Sequence, residues 1–262
     1  MEFEAFYERR DAETFVATGA TASPWDARMQ HGGPPTALIA HAIAAAHPRD
    51  DVRIARVASE FLGAIPIGTM RVRTRVARPG RRIEMIEATI EIDGRDAVTA
   101  RVWRIAVQPL GTVPPGATPP EPVPAVPDDK PVPRWLDFGY ANAVEWRFVH
   151  GGYAPGPAAA WGRPRIPLVA GEETAPVERA LLLADSANGI SGELRMGEWL
   201  FVPPSLSIAF ERYPATEWVL LDARTTMASD GLGVTTLRLA DERGWIGYGT
   251  QALFIEKMAQ RG

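Results

Sequence analysis

The 262-residue sequence contains no cysteine, which excludes disulfide bonds, cysteine-ligated zinc and thiol catalysis. It has only four histidines (His31, His41, His47 and His150), and none of their spacings matches a helical zinc site, so we expect no metal. No apolar run approaches the roughly 18–20 residues that a membrane-spanning helix requires. The first residues also lack the apolar segment of a signal peptide. These two absences predict a cytoplasmic protein without a membrane partner.

An excess of positive charge is also absent, because 28 basic and 32 acidic residues give a net charge of −4. This balance gives no reason to expect nucleic acid as a partner. Hydrophobic residues make up 46% of the chain and charged residues 23%, which is typical of a globular protein. The length fits one large domain or two modules of ordinary size.

Proline is concentrated in one segment, residues 109–134, with the sequence PLGTVPPGATPPEPVPAVPDDKPVPR. Helix interiors and central strands do not tolerate this density of proline, so we expect an extended surface connector. The connector divides the chain into an N-terminal module, residues 1–108, and a C-terminal module, residues 135–262.

The two modules share one pattern of elements. In each, an apolar helix (residues 34–46, and again from residue 176) precedes strand-like segments that are separated by turn sequences such as DGRD and DERG. A shift of about 150 residues superimposes the two patterns. The first helix is apolar on almost every side and therefore needs a curved sheet around it. We predict an α+β fold in which each helix is followed by a four-stranded antiparallel meander, the two sheets joining into one.

Three segments carry a resemblance to a known family. MQHGGPPTALIAHAI holds a Gly-Gly pair at the entry to the first helix, LLLADSANG places Asp185 at the end of the second, and GTQALF places Gln251 in the last strand. In these segments the chain resembles the type II (TesB-like) acyl-CoA thioesterases, whose fold is the double hotdog. The resemblance covers nearly the whole chain. It implies an Asp, a Thr or Ser hydroxyl and a Gln that together hold a hydrolytic water, with no cofactor.

On this resemblance, Asp185 and Gln251 are the predicted catalytic acid and amide. The hydroxyl is assigned to Ser205, and Ser207, two residues further along the same strand face, is the alternative. Attack by an activated water suits a sequence that lacks both cysteine and the Gly-x-Ser-x-Gly motif of serine hydrolases.

The repeat supports a site in the second module alone. A shift of about 150 residues places Pro35 opposite Asp185 and Arg101 opposite Gln251, so the first module lacks both polar groups. Taken by itself, Asp185 also suits a turn or a helix cap. The paired difference between the modules favours the catalytic interpretation.

His31, Gly32 and Gly33 stand immediately before the first helix, where free backbone N–H groups can hold a carbonyl oxygen or a phosphate. We predict that these three residues bind the substrate, although the glycines are also explained by their backbone freedom. An arginine stripe within residues 71–82 is a solvated strand face, or a contact for the phosphates of coenzyme A if it borders the site.

The leading hypothesis is a cytoplasmic acyl-CoA thioester hydrolase that forms homo-oligomers and has acyl-CoA as its only predicted partner. Two alternatives stay open. A hotdog dehydratase or hydratase would need a histidine beside Asp185, and His31 is the obvious candidate. A non-catalytic acyl-CoA-binding hotdog protein is the other alternative, because the expected position for the hydroxyl holds no threonine.

Overall fold

A computed structural model describes residues 3–108, 111–112 and 121–258 of the chain. Within these residues, twelve strands form one antiparallel sheet. The N-terminal module contributes six of them: β1 Tyr7–Arg9, β2 Thr14–Ala17, β3 Val52–Phe61, β4 Thr69–Arg78, β5 Ile83–Ile92 and β6 Arg95–Ala106. The C-terminal module contributes the other six: β7 Val144–His150, β8 Ala158–Pro164, β9 Trp199–Phe210, β10 Val219–Met227, β11 Leu232–Asp241 and β12 Gly244–Lys257.

The strand order shows that the two modules are copies of one arrangement. Across the sheet it is β1-β2-β4-β5-β6-β3-β9-β12-β11-β10-β8-β7, so both halves have the same order when counted inward from their edges. The halves meet where β3 pairs with β9, with Ala58 opposite Ser207. An approximate two-fold axis passes through this pairing. The predicted α+β double hotdog with one continuous sheet is confirmed.

Two details differ from the predicted four-stranded meander. Each module has two further strands at its outer edge, β1–β2 and β7–β8. The first long strand of each module pairs with the fourth, β3 with β6 and β9 with β12, and not with the second. Alternation of hydrophobicity identifies strands but not their neighbours, and β1 and β2 have only three and four residues, too few for a clear alternation.

Within the described residues, four α-helices accompany the sheet: α1 Gly33–Ala46, α2 Gly139–Asn142, α3 Pro176–Ala184 and α4 Ala187–Ile190. α1 and α3 begin and run as the sequence predicts and pack against each other and the inner face of the sheet. A side chain at Gly33 would collide with the carbonyl oxygen of Leu182, so glycine is required where the two helices approach closely. None of the described helices is long and apolar enough to cross a membrane.

The described part of the proline-rich connector has no helix or strand between residues 121 and 133. Val123 and Val126 pack against a small cluster on the outer face of the second module that includes Trp161 and Leu220. This packing agrees with an extended surface segment. Most of the predicted connector between residues 109 and 120 lies outside the described residues.

Candidate active site

A cavity of about 530 Å³ lies at the junction of the two modules. The N-terminal end of α1 and the β3–β4 loop form one side, and the α3–α4 turn, the start of β9 and residues 135–140 form the other. Most of its wall is apolar, with a set of aromatic side chains: Trp25, Phe61, Trp135, Phe138, Phe201 and Phe254. Such a lining suits an apolar ligand with a few polar groups to orient it.

Asp185 is the carboxylate on this cavity wall. It caps the C-terminus of α3 and is only 4% exposed. Its Oδ1 accepts a hydrogen bond of 2.9 Å from Gln251 Nε2, and its Oδ2 lies 3.4 Å from His31 Nδ1. A Cβ at position 32 would lie 2.8 Å from Oδ2, so Gly32 leaves the room that the carboxylate occupies. The second module therefore supplies the acid, and the first module supplies the backbone that surrounds it.

Gln251 is fixed by hydrogen bonds at both ends of its amide. Nε2 also donates to the backbone oxygen of Asp185 at 3.2 Å, and Oε1 accepts from the backbone N–H of Asn188 at 3.1 Å. These partners are complementary, so the orientation of the amide is determined. Gln251 is 1% exposed, and its donor end is directed at the carboxylate.

Burial gives the two titratable groups unusual properties. Burial raises the pKa of Asp185 to about 7, and hydrogen bonds from Gly32 and Gln251 offset only part of this effect. Burial lowers the pKa of His31 to about 3, so its imidazole is neutral at physiological pH. A carboxyl group that exchanges its proton near neutral pH is well suited to general acid–base catalysis.

The neutral His31 has a defined tautomer. The Gly33 backbone N–H donates to Nδ1 at 3.2 Å, so the ring hydrogen resides on Nε2. The ring lies flat on Tyr140, with centroids 3.9 Å apart and planes 3° apart. Nε2 makes no hydrogen bond within the described chain, and the residue lines the cavity. The Gly32 and Gly33 N–H groups, predicted to be free for a ligand, face Asp185 and His31 instead.

The structure does not bring Ser205 or Ser207 to this site. Leu206, which lies between them on β9, is directly opposite Gln251 and shares its inner face. Neighbouring residues of a strand point to opposite faces, so both serines lie on the outer face of the sheet. There, Ser207 Oγ accepts a hydrogen bond of 3.1 Å from Arg56. The prediction placed both serines on one face correctly but chose the wrong side of the sheet.

Three site residues were not predicted from the sequence. Ser186 follows Asp185, lines the same cavity, and its Oγ lies 2.9 Å from the Tyr140 hydroxyl oxygen. Asn188, three residues after Asp185, donates a backbone hydrogen bond to Gln251. Ser186 and Asn188 lie in the DSANG segment, where their turn-forming character hid any other role. Tyr140 comes from the segment before β7, and no local pattern indicates its position.

Family models match both modules of the chain. An acyl-CoA thioesterase N-terminal domain matches residues 21–105, and an acyl-CoA thioesterase C-terminal domain matches residues 119–255. The chain belongs to the acyl-CoA thioesterase family. The predicted resemblance is therefore confirmed at the level of the family. No significant match to a curated protein was found.

Solved structures of similar fold cover almost the whole of this thioesterase-family chain. A conserved protein of unknown function with a hot dog fold from Alicyclobacillus acidocaldarius has a TM-score of 0.72 at 15% identity and covers 96% of both chains. The tesB protein of Mycobacterium avium subsp. paratuberculosis has a TM-score of 0.69 at 14% identity, covering 95% of both. Acyl-CoA thioesterase II TesB2 of Mycobacterium marinum has a TM-score of 0.69 at 13% identity, covering 98% of this chain and 96% of that one. At these identities the comparisons show the fold.

The repeat within this thioesterase-family chain differs from the predicted alignment. The strands beginning at Thr69, Ile83 and Arg95 recur 149 or 150 residues later, but α1 recurs as α3 after only 143 residues. Asp185 therefore corresponds to Ala42 and not to Pro35, because the helix and the strands have different offsets. Gln251 corresponds to the buried Val102, since the exposed Arg101 faces the other side of the sheet. The first module still lacks both polar groups.

The arginine stripe is separate from the cavity. Arg71, Arg73 and Arg75 form ion pairs with acidic residues of neighbouring strands or loops, and within the described chain no residue of the stripe lines the cavity. The structure thus supports the interpretation of the stripe as a solvated face. Among the described residues, no group of three or more His, Asp or Glu side chains is arranged to hold a metal ion.

Proposed function

We propose that this chain is an acyl-CoA thioester hydrolase in which Asp185 activates a water molecule and Gln251 orients the carboxylate. One observation carries the proposal: a buried carboxylate with a pKa of about 7 lies on the wall of an apolar cavity, held by a fixed amide at 2.9 Å. Membership of the acyl-CoA thioesterase family supports a thioester substrate.

In this proposal the acyl chain occupies the apolar cavity and the thioester carbonyl lies beside Asp185. His31 Nε2–H donates a hydrogen bond to the carbonyl oxygen, since this nitrogen has no other partner in the described chain and a neutral imidazole is a stable donor. The predicted substrate-binding role of His31 is therefore assigned to one hydrogen bond, from Nε2–H to the thioester carbonyl oxygen. Gly32 and Gly33 contribute by shaping the site, because their N–H groups already face Asp185 and His31.

The reaction is a hydrolysis assisted by one base. The Asp185 carboxylate accepts a proton from water as the water oxygen attacks the carbonyl carbon, and the charge on the carbonyl oxygen is stabilised by His31. The carbon–sulfur bond then breaks, and Asp185 returns the proton to the departing sulfur. The products are a carboxylic acid and the thiol of coenzyme A, and no cofactor takes part.

A hydratase or dehydratase is the second candidate, favoured by the 3.4 Å contact between His31 Nδ1 and Asp185 Oδ2. Such chemistry needs a histidine that gains and loses a proton near neutral pH. Burial holds the pKa of His31 at about 3, which argues against that role. Loss of enoyl absorbance from an enoyl-CoA substrate, without thiol release, would identify this activity.

The deciding experiment is steady-state hydrolysis of a panel of acyl-CoA substrates, read out by a thiol reagent. The chain has no cysteine, so only the released coenzyme A reacts with the reagent. We expect turnover by the parent and its loss in Asp185→Asn and Gln251→Ala. Full activity in Asp185→Asn would exclude the mechanism, and tight acyl-CoA binding without turnover would favour the non-catalytic alternative. The cytoplasmic location and the homo-oligomeric state stay predictions, and light scattering tests the second.

A further inference from the structure

We infer that Ser186, the residue next to Asp185, is the third catalytic group, and that its Oγ accepts the second hydrogen of the attacking water. This inference rests on the proposed hydrolytic function. It fills the place left by Ser205 and Ser207, which lie on the opposite face of the sheet.

The first argument is position. Ser186 is 6% exposed and lines the same cavity as Asp185. It stands at the N-cap of α4, where a serine ordinarily accepts a hydrogen bond from the backbone of the first helical turn. Its side chain makes no such bond. The hydroxyl is therefore used elsewhere, and helix capping does not explain its presence.

The second argument is the direction of its hydrogen bond. Tyr140 has a single hydroxyl hydrogen, and the carbonyl oxygen of Leu182 lies 3.0 Å away as an acceptor that cannot donate. With that hydrogen used, the 2.9 Å contact between Ser186 and Tyr140 requires Ser186 to donate to the tyrosine oxygen. Burial raises the pKa of Tyr140 far above its ordinary value, so the phenol keeps its hydrogen. Ser186 Oγ is left with lone pairs and acts only as an acceptor.

The third argument is what the water needs. A water that donates one hydrogen to Asp185 and the other to a neutral acceptor has a lone pair left for the carbonyl carbon. The amide oxygen of Gln251 is occupied by the Asn188 N–H. The other serine that lines the cavity, Ser23, accepts from the Trp25 N–H. Ser186 Oγ, on the residue next to Asp185, is a cavity-lining acceptor that receives no hydrogen bond from the described chain.

Tyr140 is then a positioning residue. Its hydroxyl oxygen accepts the hydrogen of Ser186, and its ring stacks on the imidazole of His31. Removing its hydroxyl leaves Ser186 free to rotate, so activity should fall without loss of the residues that contact the water.

The test compares kcat, KM and the pH dependence of hydrolysis in four variants. We expect Ser186→Ala to lower kcat about tenfold, the equivalent of one lost hydrogen bond, with little change in KM. Ser186→Thr, which keeps a hydroxyl, should restore part of the loss, and Tyr140→Phe should fall between parent and Ser186→Ala. Ser205→Ala is the matched control on the outer face and should behave as the parent does.

The pH profile separates catalysis from structure. Ser186 is neutral, so its removal should leave the midpoint of the profile unchanged while the plateau falls. Parental kcat in Ser186→Ala, or a loss in Ser205→Ala in its place, would overturn the inference. If Ser186→Ala does not fold, parental kcat in Tyr140→Phe overturns it equally. Retained activity in Asp185→Asn would instead reject the proposed role of Asp185, and a parent protein without thioester hydrolysis would reject the proposed function itself.

Discussion

The approximate two-fold axis relates two junctions between the modules. Each junction contains a buried acid, but the surroundings of the two acids differ. At the first, the end of α3 brings Asp185 to the start of α1. At the second, the start of α3 brings Glu178 to His41 of α1, with 3.0 Å between Oε1 and Nδ1. Arg9 donates to His41 Nε2 at 2.6 Å and forms an ion pair of 2.7 Å with Glu172.

The partners of each acid explain the difference. Glu178 also accepts a hydrogen bond from the Ala175 N–H, and the arginine next to this cluster lowers the pKa of Glu172. Asp185 has a neutral amide and a neutral imidazole as its side-chain neighbours, and burial raises its pKa. A buried acid within a network that contains an arginine is held in place, whereas one without a cation keeps its proton near neutral pH. We expect the first kind to matter for stability and the second for activity.

The largest expected effect is on kcat, which should fall when the acid at the first junction is replaced but not when the acid at the second junction is replaced. Asp185→Asn keeps the shape of the side chain but removes the base, so kcat should fall by about 10²–10⁴-fold, the usual contribution of general base catalysis. Glu178→Gln is the matched change at the other junction and should leave kcat within a few-fold of the parent. Thiol release by the two variants, measured side by side, is the test. Equal losses would mean that the two junctions do not differ in function.

The second effect is on stability as pH rises. The pKa of Asp185 is about 7 in the folded protein and about 3.9 when unfolded. Because the folded value is higher, the stability linked to its proton is complete below pH 4 and is lost as pH rises through 7. The loss is at most about 4 kcal/mol. In thermal unfolding experiments, the stability of Asp185→Asn relative to the parent should increase from pH 5 to pH 9. A constant difference would contradict the raised pKa.

Some of the residues at the two junctions can be predicted from the sequence, whereas the others are brought together only by tertiary contacts. Asp185 and Gln251 are found because each lies in a segment that resembles the thioesterase family, at the end of a helix and in the last strand. The face of β9 that carries Ser205 cannot be determined from alternation alone, because a shift of one residue exchanges the two faces. Tyr140 and His31 meet Asp185 only through the docking of the modules. The ion cluster at the second junction joins β1, α1 and α3, and no local pattern connects these elements.

The third effect is the pH dependence of hydrolysis. Only the carboxylate form of Asp185 accepts a proton from water, so kcat/KM should rise about tenfold per pH unit below 7 and level off above it. Between pH 5 and the plateau this amounts to roughly 100-fold. Glu178→Gln should follow the same curve, and Asp185→Asn should show a flat residual rate. A midpoint near the ordinary pKa of aspartate would show that burial does not control the group.

The smallest effect is the stability cost at the second junction. Glu178→Gln retains one oxygen for the Ala175 N–H, but its amide nitrogen then faces the Nδ1–H of His41, so the hydrogen bond between the two side chains is lost. We expect a loss of about 1–3 kcal/mol in the free energy of unfolding, measured by denaturant titration at pH 7. Asp185→Asn under the same conditions should lose no stability, because it removes a carboxylate that has no cation. A larger loss in Asp185→Asn than in Glu178→Gln would reverse the roles assigned to the two junctions.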